Sequence, residues 1–252
     1  MAVNLAVQAA LAGPRLIGRS PLAFLAWVGL RLAEQYVSLT VLMAATQGGA
    51  AFGVGGVWAA LLAVPFEAVL VAAILRAELK PEKPAYAFLR LGGVEAKMVG
   101  LLVIAGLAGA VIAVPTSLAA AYLALVLKQR LLAGSALLAG SVAAALALMR
   151  FAPAPAILVD ERRIDLAVAW RASKGRYLLL VLLVIGATVL ERLLGSAATA
   201  LAVQPELAGW SALVSPGRLI ILAWRSLTGV VALTLMAGAI ATVWRASKQT
   251  LD

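Results

Sequence analysis

The chain has 252 residues, of which 64% are hydrophobic and only 13% are charged, and its mean hydropathy is +1.03. These values are far from those of a soluble domain. Because cysteine and histidine are both absent, disulfides, thiolate nucleophiles, Cys/His zinc sites and a Ser-His-Asp triad are excluded. No cofactor or metal is expected. The net charge of +10 is typical of membrane-protein loops beside anionic lipid, so it is not assigned to nucleic acid.

About six apolar stretches are long enough to cross a hydrocarbon core of about 30 Å, which takes about 20 helical residues. Their pattern does not alternate as in a strand, and lipid offers no partner to an open backbone. We therefore predict an all-α polytopic membrane protein with a single transmembrane domain. The predicted spans are 21–45, 55–77, 98–126, 131–151, 177–200 and 218–243.

Two shorter helices are predicted outside the spans. Residues 1–19 lack the basic start of a signal peptide and end in Arg19, which indicates an amphipathic helix lying on the membrane surface. In the segment 159–177, Asp165 is typical of a helix start and Gly175 of a left-handed helix stop. This second segment predicts a short helix on the cytoplasmic surface.

Lysine and arginine residues are unevenly distributed between the predicted loops. Six spans with both termini in the cytoplasm place most of these residues on the cytoplasmic side, as the positive-inside rule requires. Anionic phospholipid headgroups are therefore the predicted partners, and another membrane protein or a second copy of the chain is an open alternative. The residues expected to contact lipid phosphates are Arg150, Arg163, Arg171, Lys174 and Arg176.

A polar stripe interrupts the first predicted span. Arg31, Glu34, Gln35 and Ser38 are spaced i, i+3, i+4 and i+7, which places them on one face of a helix. An ionised side chain near the bilayer centre costs about 2.5–3.5 kcal/mol, so we expect this face to meet other helices. Residues of the other spans complete a predicted intramembrane charge cluster, whose members are Arg31, Glu34, Gln35, Glu67, Glu191, Arg192 and Arg225.

The ionic members of this cluster are expected to converge. A rise of about 1.5 Å per residue places all six in one layer, from the middle to the outer half of the membrane, and their charges balance. Two interpretations remain open. The ion pairs fix the register of the helices, or the glutamates bind a proton or cation and the arginines hold an anionic headgroup.

Two repeated patterns indicate packing and interface residues. Small residues spaced four apart, including Ala105 with Gly109 and Gly140 with Ala144, predict close packing of the third and fourth spans. The pentapeptide Trp-Arg-Ala-Ser-Lys occurs at 170–174 and again at 244–248. A tryptophan beside basic residues is typical of a membrane interface.

Between Arg150 and Tyr177, a proline-containing apolar segment and a charged turn precede Ala169-Trp-Arg-Ala-Ser-Lys-Gly-Arg-Tyr. This segment resembles the Ser-Trp-x-Leu-Thr-Lys-Gly-Arg-Phe pattern of the membrane domain that accompanies some bacterial glycerophosphodiester phosphodiesterases, and of its YciC-like stand-alone relatives. Ala169 and Ala172 depart from that pattern. The resemblance implies a six-helix protein of the bacterial inner membrane. It implies no phosphodiesterase activity, because this sequence has no soluble catalytic domain.

Catalysis is not predicted. The predicted spans contain no aspartate, the acidic cytoplasmic cluster consists of Asp160, Glu161 and Asp165, and no histidine is available as a base. We therefore predict a non-catalytic membrane protein that binds or organises lipids or membrane-protein partners. The alternative is a small transporter or lipid-handling protein whose site is the intramembrane charge cluster.

Overall fold

The computed structural model describes residues 2–47, 52–80, 85–201 and 216–251. Within these ranges almost every residue is helical and no strand occurs, so the predicted all-α fold class is confirmed. A 3-10 helix at Ala85–Phe88 precedes the fourth long helix. The α-helices are α1 (Ala2–Arg19), α2 (Pro21–Gln47), α3 (Phe52–Leu79), α4 (Gly93–Leu125), α5 (Arg130–Met149), α6 (Ala154–Glu161), α7 (Leu166–Ser173), α8 (Tyr177–Leu201) and α9 (Pro216–Leu251).

Among the described residues, five stretches are long and apolar enough to cross a membrane, or six if α1 and α2, which are bent by 98° relative to each other, count together as one span. The polar stripe of α2 lowers its hydropathy, yet its 27 residues are more than the ~20 that a bilayer requires. The long helices begin and end within a few residues of the predicted spans. The exception is α9, which extends to Leu251 because its last turns pack against α7.

The N-terminal helix α1 packs against α9. Its residues Ala9, Ala12 and Leu16 are buried. One side of the predicted amphipathic helix therefore packs against the protein. Gly13 of α1 and Gly238 of α9 permit this close approach because neither has a side chain. A Cβ added to Gly238 would lie 2.8 Å from the Cβ of Ala12 and 2.9 Å from the backbone nitrogen of Gly13.

Helices α4 and α5 pack together at the edge of the bundle. A Cβ added to Gly140 would overlap the side chain of Thr116, and one added to Gly109 would lie 3.5 Å from Leu148. The predicted close approach of these helices is therefore confirmed at Gly109 and Gly140. By contrast, a Cβ added to Gly106 would meet no atom within 4 Å.

The core lies where α3, α6 and α9 meet. Ile74 and Leu75 of α3 and Ile157 and Leu158 of α6 are fully buried, as is Trp244 of α9 to within 2%. Burial of each large apolar side chain contributes about 1.5–3 kcal/mol. The eight-residue helix α6 is thus enclosed by protein, and it holds the following helix in place.

Helix α7 has the predicted form of a short surface helix. The Asp165 side chain accepts a hydrogen bond of 2.9 Å from the backbone N–H of Val168 and caps the first turn. Gly175 follows the helix with φ of +76°, a conformation that glycine adopts without strain. Ala169 and Ala172 are buried towards the protein, so α7 is anchored along one side.

The glycine contacts give a prediction about stability. Gly238→Ala lowers the thermal unfolding temperature in detergent, because the added methyl group forces α1 away from α9. Gly106→Ala is the matched control. It leaves the temperature unchanged or raises it, because alanine is favoured by up to about 1 kcal/mol in a helix. Equal shifts for the two variants would contradict this packing.

Candidate functional site

Arg31 bridges α2 and α3 inside the bundle. Its Nη1 atom donates a hydrogen bond of 2.8 Å to Glu67 Oε1 on α3 and lies 3.0 Å from Glu34 Oε2, one turn along α2. The Glu34 side chain is 7% exposed, the Arg31 side chain 18% and the Glu67 side chain 43%. These three residues, called the ionic trio below, realise part of the predicted intramembrane charge cluster.

Two buried polar atoms of the ionic trio form no hydrogen bond with the described residues. Arg31 Nε and Glu34 Oε2 are buried and have no hydrogen-bond partner among the described residues, although Glu34 Oε2 is held electrostatically by the guanidinium. The other oxygen of Glu34 accepts a hydrogen bond of 3.2 Å from Ser38. Buried polar atoms without hydrogen bonds are uncommon in folded proteins.

Two further members of the predicted cluster lie beside the trio. Gln35 Oε1 accepts a hydrogen bond of 3.3 Å from Ser226 of α9. A Cβ on Gly229 of α9 would lie 3.6 Å from Glu191 Oε1 of α8 and 3.7 Å from Arg31 Nε. Gly229 therefore leaves space into which both charged side chains reach, and four helices surround this region.

Arg192 and Arg225 do not join the trio. Both are exposed on the surfaces of α8 and α9, and neither forms an ion pair with a described carboxylate. The expectation that all six ionic residues converge is therefore wrong for these two arginines. The rotation of α8 about its axis turns Arg192 outward while its neighbour Glu191 is partly buried, because adjacent helical residues point about 100° apart.

The composition of the trio limits its chemistry. One guanidinium faces two carboxylates, so the group is electrically neutral when it holds one proton. Among the described residues no set of three or more Asp, Glu, His or Cys side chains is placed to hold a metal ion. The arrangement can stabilise helix register, and it can also bind a proton.

The predicted lipid-contacting residues lie together at one end of the bundle. This basic end is formed by α6, α7, the 3-10 helix and the last turns of α3 and α9. Arg150 stacks its guanidinium over the rings of Trp170 and Tyr177, at 5.2 and 4.3 Å from their centroids. This stacking holds Arg150 against two side chains of the protein, whereas the sequence indicated a contact with lipid phosphates.

The other four predicted contacts divide into two classes. Arg163 pairs with Glu161 at 2.7 Å, and Arg176 donates hydrogen bonds to Ser247 and to the backbone oxygen of Ala246. Arg171 and Lys174 are exposed and have no carboxylate partner in the described ranges. These two residues therefore carry uncompensated charge at the surface.

Three carboxylates that the sequence did not single out as site residues tie the basic end together. Asp160 Oδ2 accepts hydrogen bonds from Trp244 Nε1 at 3.1 Å and from Lys248 Nζ at 3.0 Å. Glu78 pairs with Arg245 at 3.0 Å, and Glu95 pairs with Arg76. The sequence places these arginines and lysines in the predicted loops or at the ends of predicted spans. Only the fold determines which carboxylate each of them pairs with.

The two copies of Trp-Arg-Ala-Ser-Lys touch each other. Ser247 of the second copy donates a hydrogen bond of 3.1 Å to the backbone oxygen of Ala172 in the first. The second copy is bound to α3, α6 and α7, whereas Trp170 of the first copy is half-exposed beside Arg150. The repeat therefore has two roles, one in packing and one at the surface.

Comparison with protein-family models, with curated proteins and with solved structures finds no match to this chain. The resemblance between Arg150 and Tyr177 therefore stays a prediction. The function is argued from the geometry of the ionic trio and of the basic end.

The geometry of the trio predicts unequal effects for two arginine variants. Arg31→Gln leaves Glu34 and Glu67 without their cation and destabilises the protein by about 3–5 kcal/mol. Arg225→Gln removes an exposed arginine and changes stability by about 0.5 kcal/mol or less. Unfolding in mixed micelles measures both. A cost for Arg31→Gln no larger than that for Arg225→Gln would mean that the trio does not stabilise the bundle.

Proposed function

We propose that this chain is a non-catalytic integral membrane protein that binds anionic phospholipids at its basic end. In this proposal the basic end faces the cytoplasm of a bacterial cell, with both termini on that side, and the protein lies in the inner membrane. The uneven distribution of lysine and arginine supports the orientation. The length and the apolar composition of the long helices support the location in a membrane.

The observation that carries the proposal is the surface of α7. Ile164, Leu166 and Trp170 are exposed beside the uncompensated charges of Arg171 and Lys174. Exposed apolar side chains next to basic ones suit the boundary between headgroups and acyl chains. Each basic residue near an anionic membrane surface contributes about 1 kcal/mol of attraction.

The partners of the remaining basic residues support the same proposal. Arg76, Arg245 and Lys248 are compensated by carboxylates within the protein. Charges without a carboxylate partner remain at this end, among them those where α7 and the start of α4 reach the surface. Such a distribution favours a phosphate-rich surface over an apolar protein partner.

The proposal predicts that anionic lipid protects α7. In nanodiscs of phosphatidylglycerol, amide hydrogens of 166–174 exchange more slowly than in phosphatidylcholine, by up to about 30-fold for two charges. The double variant Arg171→Gln/Lys174→Gln removes most of this difference. Hydrogen–deuterium exchange with mass spectrometry measures it peptide by peptide.

Arg163→Gln is the matched control, because Arg163 already pairs with Glu161 and contributes less to lipid attraction. It retains most of the protection. Identical exchange of the unmodified protein in the two lipids would contradict the proposed function.

A second candidate function rests on the ionic trio. Two carboxylates around one guanidinium hold one proton at electrical neutrality, and the Glu67 side chain is 43% exposed. A small transporter coupled to proton movement would use such a group. This candidate is favoured by the buried Arg31 Nε, which has no hydrogen-bond partner among the described residues.

Proton flux separates the two candidates. For the transporter, vesicles containing the unmodified chain change their internal pH when a membrane potential is imposed, as an entrapped dye records. Glu67→Gln abolishes the flux without reducing incorporation, while Glu161→Gln, which changes a carboxylate of the basic end, retains it. No flux from the unmodified chain would remove this candidate.

A further inference from the structure

A cleft at the basic end has an excess of positive charge that the preceding sections do not use. It encloses about 950 Å³ between α3, the 3-10 helix, α4 and α6, a volume within the range of small-molecule sites. This cationic cleft is lined by five basic residues and one acidic residue, which are Arg76, Lys80, Arg90, Lys97, Arg162 and Glu95.

Part of this charge is already compensated. Arg76 pairs with Glu95, and Lys80 lies 3.9 Å from Asp160 Oδ1 and donates a hydrogen bond of 2.8 Å to the backbone oxygen of Asp160. Lys97 donates a hydrogen bond of 3.0 Å to the backbone oxygen of Arg162. That contact holds the lysine in position but does not neutralise it.

Three charges therefore remain. Arg90, Lys97 and Arg162 have no carboxylate partner within the described ranges. Helix α4 begins beside them at Gly93, and Gly92 provides no side-chain cap for its first backbone N–H groups. Glu95 in the first turn of α4 offsets the partial positive charge of this helix terminus, so the excess charge of the cleft comes from the three side chains.

An apolar groove adjoins the cationic cleft. It encloses about 500 Å³ and is lined by Leu30 of α2 and by Pro65, Phe66 and Val69 of α3. Arg90 and Leu91 line both the cleft and the groove. The chain from Leu89 to Leu91 is thus a ridge with positive charge on one side and an apolar channel on the other.

The ridge is held in a defined position. The fully buried Trp27 donates a hydrogen bond of 2.9 Å from Nε1 to the backbone oxygen of Ala87, and Arg76 donates one of 3.2 Å to that of Phe88. Ala87 and Phe88 have φ of 55° and 62°, a strained conformation for residues other than glycine. Strain of this kind persists only where surrounding contacts impose it, and it is often found at binding sites.

We propose that the cationic cleft and the apolar groove bind one molecule of anionic phospholipid. Its phosphate lies among Arg90, Lys97 and Arg162, and a segment of one acyl chain lies along Leu30, Phe66 and Val69. Charge complementarity in the cleft and the continuous apolar lining of the adjoining groove select this amphiphile over a soluble anion, which would leave the groove empty. The inference rests on the proposed function and assigns it a specific site.

The groove leads from the basic end towards the ionic trio. Leu30 and Phe66, which line it, directly precede Arg31 and Glu67 in sequence. A lipid seated in the cleft therefore brings its acyl chain to the depth of the Arg31–Glu67 contact, on a face of α2 and α3 about 100° away from those two side chains. Binding is expected to stabilise α2 against α3.

The test measures retention of phosphatidylglycerol by the full chain in detergent, using native mass spectrometry over a lipid titration. The triple variant Arg90→Gln/Lys97→Gln/Arg162→Gln weakens binding of phosphatidylglycerol about 100-fold, because each of the three lost charges contributes a similar part of the electrostatic attraction to the phosphate. The control removes the same number of charges from positions at which no lipid contact is proposed. Arg163→Gln/Arg192→Gln/Arg225→Gln, which changes one arginine already paired with Glu161 and two exposed arginines of α8 and α9, retains the bound lipid.

A second variant probes the groove independently of the charges. Val69→Trp fills the groove and weakens binding of phosphatidylglycerol by about 10-fold or more, whereas Val103→Trp on the exposed surface of α4 does not. Inorganic phosphate at the same concentration as the lipid does not displace it. Displacement by phosphate would mean that the cleft takes a soluble anion, which would overturn the proposal.

The outcomes also separate the site from the function. If the unmodified chain retains phosphatidylglycerol no better than phosphatidylcholine, both the proposed function and this site are wrong. If the preference for phosphatidylglycerol persists in the cleft variant and in Val69→Trp, the function stands and the site is wrong. Loss of binding in both variants at unchanged unfolding temperature is the expected result.

Discussion

The structure depends on the contact between Arg31 and Glu67, which joins α2 to α3 within the apolar length of both helices. A lone guanidinium among apolar helices is costly, and a carboxylate from a neighbouring helix removes that cost only when the two helices are in register. The contact therefore acts as a constraint on helix position as much as a source of stability. Glu34, buried beside Arg31 on the same helix, is within reach at any register, so the constraint on helix position comes from Glu67 alone.

The same rule of compensation organises the basic end. Asp160, Glu78 and Glu95 each meet a cation from a different helix, and these pairs hold α3, α4, α6 and α9 together where the chain emerges from the apolar region. The basic residues that have no carboxylate partner are as informative as those that have one. At this end, charges without a carboxylate partner remain on α7 and in the cationic cleft, and both places adjoin exposed apolar side chains, as the proposed binding of anionic lipid requires.

Much of this arrangement follows from the sequence, and the rest depends on long-range contacts. Hydropathy and span length give the helices, because lipid allows few alternatives, and Asp165 with Gly175 gives the bounds of α7 from local chemistry alone. The spacing of Arg31, Glu34 and Gln35 also gives a shared face. The outward rotation of Arg192 and Arg225 was not predictable from depth, since depth says nothing about the direction of a side chain around its helix. The cleft was missed for a similar reason: Arg162 is far in sequence from Arg90 and Lys97, which lie close together, and the start of α4 at Gly92 and Gly93 was the available signal.

A double-mutant cycle between Arg31 and Glu67, measured by reversible unfolding in a Glu34→Gln background, tests most directly whether this contact constrains the fold. The account predicts that Arg31→Met and Glu67→Met are each strongly destabilising, and that the double variant is less destabilised than their sum by about 1–3 kcal/mol. Additive effects, with a coupling energy near zero, would contradict it.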